Sequence, residues 1–155
     1  MSNFCFCVIE NIIEAKERKR VFKKIEKLAQ KYDCAICDLI NWQEPVVSAI
    51  NQDSYIISIN DSKKEDICEL FLLPDGWYYN NKTNIQSFFQ RARFFEDIAE
   101  MIMIDGYDIS FYIAQSGTTT DEFENYVISQ SDIVLLLSES IGNNGVDTGL
   151  HIQIK

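Results

Sequence analysis

The stretch 83-TNIQSFFQRARFFEDIAEMIMIDGYDISFYIA-114 carries the two clearest structural signals of this chain. Thr83, with Gln86 three positions later, has the pattern of a capping box and predicts the start of a helix. An apolar stripe at helical spacing follows, and Gly106 stands where helices commonly end. From Tyr107 onwards apolar and polar residues alternate, which predicts a strand. A long amphipathic helix followed by a half-buried strand is typical of helices packed on a sheet.

The N-terminal part predicts a second long helix on the same sheet. Residues 4–9 alternate between two apolar faces, which is typical of a strand in the centre of a sheet. Asn11, with Glu14 three positions later, has the capping-box pattern, and apolar residues at helical spacing continue to Lys31. The opposite side of this helix carries a basic stripe, made of Lys16, Arg20, Lys23, Lys27 and Lys31.

Shorter apolar segments predict the remaining strands. They cover 35–40, 46–50, 55–59, 67–73 and 77–79, and together they predict an antiparallel meander. Pro74 and Gly76 have the residue types of a turn between the last two of these segments. Alternation from Leu150 to Lys155 predicts a closing strand after a glycine-containing loop at 141–149.

Two interpretations stay open between residues 120 and 137. Thr120 could cap a short helix that reaches Ser129, while 133–137 fits either a buried strand or a continuation of that helix. In both cases the expected class is α+β, in a single domain over residues 1–155. The expected architecture is a mainly antiparallel, twisted sheet with two long helices packed on it.

The charge of the chain is strongly asymmetric. The 155 residues carry a formal net charge of −10. Residues 1–31 hold eight basic and four acidic side chains, so this segment is positive by four and the remainder is negative by fourteen. An acidic protein repels the phosphates of nucleic acids and attracts a basic protein, although acidity can also serve solubility alone.

The second half supplies most of the negative charge. Between Arg93 and Lys155 there is no lysine or arginine, whereas eleven carboxylates lie there. Some of them stand at helix starts, where a carboxylate interacts favourably with the helix dipole. The sharper interpretation is a surface for a cationic partner, with aromatic anchors from the segment after the turn. The residues predicted to bind the partner are Asp105, Asp108, Asp121, Glu122, Glu124, Asp132, Glu139, Asp147, Trp77 and Tyr78.

No motif in the chain points to a metal or a cofactor. Cys5 and Cys7 share a strand face and could chelate, but Cys34 and Cys37 are three apart in a predicted strand and so face opposite sides. Reduced cysteines, without a secretion signal or a bilayer-spanning apolar run, predict a cytoplasmic protein that does not contact the membrane. We therefore expect buried structural thiols, no metal and no cofactor.

Catalytic signatures are weak as well. His151, the only histidine, alternates with apolar neighbours and has no nucleophile motif around it. Paired carboxylates such as Glu96 and Asp97 serve glycosidases only when a cleft holds them together. The segment from Gly142 to Gly145 lacks the lysine of a phosphate-binding loop. The sequence predicts a binding protein rather than an enzyme.

The helix-to-strand segment also carries a family resemblance. FFQRARFFEDIAE at 88–100 and GYDISFYI at 106–113, with the small size, the acidity and the reduced cysteines, resemble the immunity proteins of bacterial polymorphic toxin systems, such as those of contact-dependent growth inhibition. The resemblance implies an antitoxin that binds a cognate toxin domain, with a nuclease as the expected target. It implies that the protein occludes the cationic active site of the toxin electrostatically and sterically. It implies no catalytic residues in this chain.

The basic stripe keeps a second function open. Five cations along one helix face could follow a phosphate backbone, in which case the protein is a nucleic-acid-binding or regulatory α+β module. The formal net charge of −10 opposes such binding at long range.

Overall fold

Six strands form one sheet in the computed structural model, which describes residues 3–38, 44–61, 82–115, 117–140 and 149–155. The strands are β1 Asn3–Ile9, β2 Cys34–Asp38, β3 Tyr55–Asp61, β4 Ile109–Gln115, β5 Phe123–Ile128 and β6 Gly149–Ile154. Their order is β2-β3-β1-β4-β6-β5. All neighbouring pairs are antiparallel except β5 and β6, which are parallel. The predicted α+β class with a mainly antiparallel sheet is confirmed.

Three helices pack on one face of the sheet, which we call the helix face. They are α1 Ala15–Lys31, α2 Lys82–Ile104 and α3 Ile133–Ser140. Odd-numbered residues of β1 and β4 point into this core, among them Cys7 and Phe111, which lie opposite each other in the register. The ring of Phe95 on α2 stacks on Phe111 with centroids 4.9 Å apart. The two predicted long helices are therefore present, with α3 as an additional short one.

The opposite face of the sheet, which we call the second face, has a smaller apolar core. It is formed by Phe4, Phe6 and Val8 of β1 with Ala114 and Phe123. Val46 covers it from a 3-10 helix at Pro45–Ala49. The strand predicted at 46–50 is therefore wrong. Pro45 occupies the first helical turn, where its fixed φ is compatible with a helix. This apolar run therefore forms a short helix over the second face instead of a strand.

The start of α1 also differs from the prediction. The helix begins at Ala15 after an extended Glu14 that makes no side-chain capping bond. Asn11 adopts φ 60° instead of capping a helix. The left-handed turn at Asn11 lets the chain leave β1 and bury Ile12, which is 1% exposed, before the helix starts. Burial of an apolar side chain outweighs the local capping preference here.

The segment 120–140 resolves into four short elements. A 3-10 helix at Thr120–Glu122 leads into β5, and a second 3-10 helix at Gln130–Asp132 leads into α3. The helix expected from Thr120 to Ser129 is wrong, because 123–128 pairs with the open flank of β6. Residues 133–137 are helical, as one alternative predicted, but they belong to the separate helix α3 and do not continue a helix from Thr120. The strands predicted at 67–73 and 77–79 lie outside the described residues, as do the last two residues of the strand predicted at 35–40, which is otherwise present as β2.

The end of α2 agrees with the sequence. Gly106 has φ +89°, and its N–H donates to the carbonyl of Met103 at 3.0 Å. The N–H of Tyr107 donates to the carbonyl of Ile102 at 3.2 Å. This pair of bonds is a Schellman motif, which ends the helix and directs the chain into β4.

Candidate partner-binding site

The predicted acidic residues lie at two opposite ends of the sheet. We call the end where β5 and β6 begin the upper end, and the end where they finish the lower end. Strand directions place Asp105, Asp108 and Asp132 at the lower end. They place Asp121 and Glu122 at the upper end. A six-residue strand spans about 17 Å, so the two groups are separated by roughly that distance.

Asp105 is neutralised within the fold. Its Oδ2 accepts hydrogen bonds from Lys24 Nζ at 2.7 Å and from Arg20 Nη2 at 3.3 Å. The hydrogen bond from Lys24 is the main reason why the pKa of Asp105 lies below its ordinary value. These contacts connect the C-terminal end of α2 to α1. Asp105 therefore contributes little net charge to a surface for a partner.

The two other acids of the lower end are exposed. Asp108 precedes β4, and its backbone carbonyl accepts the N–H of Glu10 at 3.0 Å. Asp132 Oδ2 accepts a hydrogen bond from Ser129 Oγ at 2.9 Å in the turn that leads into α3. Within the described ranges, neither carboxylate has a lysine or arginine within ion-pair distance.

At the upper end, Thr119 organises two carboxylates. Its N–H donates to Glu122 Oε1 at 3.0 Å, and its hydroxyl lies 2.6 Å from both Glu122 Oε1 and Asp121 Oδ1. Hydrogen bonds from Thr119 lower the pKa of both carboxyl groups. Both side chains are exposed, so they present full negative charges to solvent at neutral pH.

Edge strand β5 continues this negative surface. Glu124 is exposed and accepts a hydrogen bond from the hydroxyl of Tyr126 at 2.7 Å. Glu139 is exposed near the end of α3. In the part of the chain that the structure describes, no strand pairs with the outer flank of β5. We call Asp121, Glu122 and Glu124 the upper acidic group.

Three of the predicted partner-binding residues lie outside the described residues, namely Asp147, Trp77 and Tyr78. The structure thus brings together three of the predicted residues, Asp121, Glu122 and Glu124, at the upper end of the sheet, and it places Glu139 on α3. It places Asp105, Asp108 and Asp132 elsewhere, and it uses Asp105 in an internal ion pair.

The basic stripe of α1 remains mostly free of acidic partners. Arg20 bonds to Glu17 and to Asp105, and these contacts raise its pKa further. The remaining members are exposed, and no ion pair to them occurs among the residues described. They are Lys16, Lys23, Lys27 and Lys31.

A row of stacked rings crosses the second face, and sequence reasoning did not foresee it. Phe6, Tyr112, His151 and Asn125 lie side by side in the register of β1, β4, β6 and β5. The rings of Phe6 and Tyr112 stack with centroids 5.1 Å apart. Alternation correctly placed His151 away from the apolar face of its strand. The identity of its neighbours depends on the strand order, which no local signal encodes.

The described cysteines agree with the expected side-chain directions. Cys5 and Cys7 are both buried on the helix face, Cys34 is buried, and Cys37 is exposed. Burial raises the pKa of the Cys7 thiol to about 12. Over the described ranges there is no group of three or more His, Cys, Asp or Glu side chains that could hold a metal ion.

Comparisons with family models, with curated proteins and with solved structures found no match to this chain. None of the helices in the described segments is long and apolar enough to cross a bilayer.

Proposed function

We propose that this protein is a cytoplasmic immunity protein that binds and neutralises a basic toxin domain, with a nuclease as its target. The observation that carries the proposal is the upper acidic group at the start of β5, which is the outermost strand on its side of the described sheet. The sequence supports it with a net charge of −10 and the absence of lysine and arginine between Arg93 and Lys155. In this function the protein binds and makes no covalent bond.

Charge explains how such a protein would capture its target. A nuclease must hold phosphates in a cationic groove. Carboxylates at the upper end would occupy the positions of those phosphates, and the body of the sheet would block access to the groove. Opposite charges also accelerate encounter, which matters when the free toxin damages the cell.

The β5 edge adds a second type of contact. An edge strand presents unpaired N–H and C=O groups to which an extended segment of another protein can bond. Val127, which is 58% exposed, adds an apolar side chain to this strand towards its lower end, beside Asp108. Affinity is expected to come from a few such desolvated contacts, and specificity from the surrounding charge.

A reconstitution tests this function directly. The purified protein is added to the toxin domain encoded beside its gene, and cleavage of DNA and of RNA is measured. We expect stoichiometric inhibition. A gene neighbourhood without a secreted toxin, or full nuclease activity at saturating protein, contradicts the proposal.

Two triple variants of equal charge change locate the surface. D121N/E122Q/E124Q at the upper end should weaken binding by about ten- to a hundredfold. D105N/D108N/D132N at the lower end should leave binding nearly unchanged. Circular dichroism checks that both variants fold, because the first removes the carboxylates that Thr119 contacts. Equal losses for the two variants would show that only the overall charge matters.

One observation favours a second candidate function. Lys16, Lys23 and Lys27 are exposed along α1 without an acidic partner among the described residues, as a nucleic-acid-binding helix would require. Salt-dependent retention of the protein on RNA or DNA, abolished by charge reversal at Lys16, Arg20, Lys23 and Lys27, would establish this function instead.

A further inference from the structure

A cleft of about 380 Å³ opens between α1 and the lower ends of β2 and β3. This volume lies within the range of small-molecule sites. The residues that carry the argument are Arg18, Lys19, Phe22, Lys23, Asp38 and Tyr55. The cleft lies at the β2–β3 side of the sheet, away from edge strand β5, so it is separate from the surface proposed for the toxin.

The floor of the cleft is held rigidly. The guanidinium carbon of Arg18 lies 5.2 Å from the centre of the Tyr55 ring. Arg18 Nε donates to the backbone carbonyl of Ile12 at 2.6 Å, and Nη2 donates to that of Ser54 at 3.4 Å. Tyr55 is only 5% exposed. A flat, fixed surface of this kind can receive a planar ring without large loss of side-chain entropy.

Tyr55 also organises a polar group in the cleft. Its hydroxyl donates to Asp38 Oδ2 at 3.3 Å. Burial, followed by the charge of Asp38, raises the pKa of Tyr55 far above its ordinary value. The hydroxyl therefore stays protonated at neutral pH and remains a hydrogen-bond donor to the Asp38 carboxylate.

The wall formed by α1 combines an apolar ring with two cations. Lys19 and Lys23 are exposed and one turn apart, and half-buried Phe22 lies between them in sequence. The charged residues that line the cleft are Arg18, Lys19 and Lys23 against Glu26 and Asp38, which gives 3 − 2 = +1. The cleft is thus locally positive in a protein whose net charge is −10.

We propose that this cleft binds a small ligand with a planar apolar ring and an anionic group. The ring packs against Phe22 and the Arg18–Tyr55 pair, while Lys19 and Lys23 bind the anion. This inference does not depend on the toxin-binding function, because the cleft lies on the β2–β3 side of the sheet and the surface proposed for the toxin lies at β5. It assigns a role to Lys23 of the basic stripe, which belongs neither to an ion pair among the described residues nor to the surface proposed for the toxin.

Titrations with simple aromatic anions test the proposal. The probes are 1-naphthoate and 1-naphthyl phosphate, which distinguish a carboxylate from a phosphate, and the readout is the set of amide shifts in ¹H–¹⁵N NMR spectra. We expect saturable shifts around Phe22 and Tyr55 with at least one probe. Neutral 1-naphthamide and acetate, each lacking one half of the ligand, should bind more weakly.

Matched variants on the same helix identify the cations. K19Q/K23Q should weaken binding of the anionic probe by about tenfold or more, as loss of charge-assisted hydrogen bonds predicts. K16Q/K27Q makes the same charge change outside the residues that line the cleft and should leave binding unchanged. All four positions are helical, and none is buried, so both variants should fold. Absence of saturable shifts with both anions, or equal weakening by the two variants, overturns the proposal.

Discussion

The imidazole ring of His151 lies against the phenol ring of Tyr112, with centroids 4.2 Å apart and planes inclined by 14°. The two residues are directly opposite in the register of β4 and β6. His151 Nδ1 is 2.9 Å from Asn125 Oδ1 on β5. Because an amide oxygen only accepts, Nδ1 carries the proton in this contact. Burial lowers the pKa of His151, so its ring is neutral at pH 7.

This environment predicts a stability change in mildly acidic solution. The unfolded chain binds a proton at His151 near pH 6.5, whereas the folded protein binds it only at lower pH. The free energy of unfolding should therefore be constant above about pH 7 and fall as the pH drops through the lowered folded pKa. Urea unfolding at pH 7.5 and 5.5 measures the change. H151F keeps a stacked ring without a titrating group, so it should lose less stability between these pH values than the wild type; equal losses contradict the prediction.

Gly149 should tolerate no side chain. A Cβ atom at this position would lie 2.6 Å from Cδ1 of the Phe123 ring, its partner across the β5–β6 pair. We expect G149A to lower the free energy of unfolding by about 1–3 kcal/mol, as overpacking usually does. The double variant G149A/F123L makes room for the methyl group and should be less destabilised than the sum of the two single changes. If the free-energy costs of the two single changes simply add in urea unfolding, the methyl group and the Phe123 ring are not in contact.

Gly106 should be required for its backbone conformation alone. It has φ +89°, and a Cβ atom there would find no atom within 4 Å. We expect G106A to cost about 1–2 kcal/mol of stability, the usual penalty for an L-residue in this region. G106N is the control, because asparagine tolerates positive φ better and should cost less. Equal costs would point to a contact instead of a backbone preference.

The ion pairs of Asp105 predict a small, salt-sensitive effect on stability. We expect D105N to cost less than about 1 kcal/mol, because the side chains of Arg20 and Lys24 keep 46% and 36% of their surface exposed and solvent weakens both ion pairs. The pKa of Asp105 is lowered in the fold, so this contribution is present above its unfolded pKa and is lost as the pH falls. The control is D108N, which removes an exposed carboxylate without an ion pair in the described structure. The difference between the two variants should shrink in 1 M NaCl, by about the amount that screening predicts.

The cysteines should differ sharply in reactivity. Cys37 is exposed, whereas Cys5, Cys7 and Cys34 are buried. Burial raises the pKa of Cys7 to about 12, which leaves almost no reactive thiolate at neutral pH. We expect a disulfide reagent such as DTNB to label Cys37 rapidly in the native protein. C37S should remove one equivalent of the rapid phase, and rapid labelling of Cys7 would contradict the buried position of β1.

The sequence predicted the elements that have strong local signals. The apolar stripe of α2 and its glycine stop at Gly106 predicted that helix and its end, since both signals act within a few residues. The alternation in β1, β4 and β6 predicted strands for the same reason. The errors occurred where tertiary contacts decide. Residues 123–128 form a strand because they pair with β6. Residues 45–49 form a 3-10 helix that packs Val46 against the apolar core of the second face.

The candidate site shows the same division. The sequence identifies the acidic residues, but it did not predict which of them lie close together in the fold. Asp105 and Asp121 are indistinguishable by charge count, yet one pairs with Lys24 while the other stays exposed beside β5. The ring row around Tyr112 could not be predicted, because it depends on β6 lying between β4 and β5. Long-range strand order decides both features, and sequence spacing does not encode it.

The position of β6 has a consequence for the order in which the protein matures. During translation β4 and β5 leave the ribosome before β6, yet β6 must enter between them. Until residues 149–154 have emerged, each of the two strands lacks its β6 partner, and among the described strands β5 has no other neighbour to hold it on the sheet. A nascent chain that pauses before this point would already display its basic helix but not an ordered β5, so binding of the proposed cationic target would have to await the closing strand.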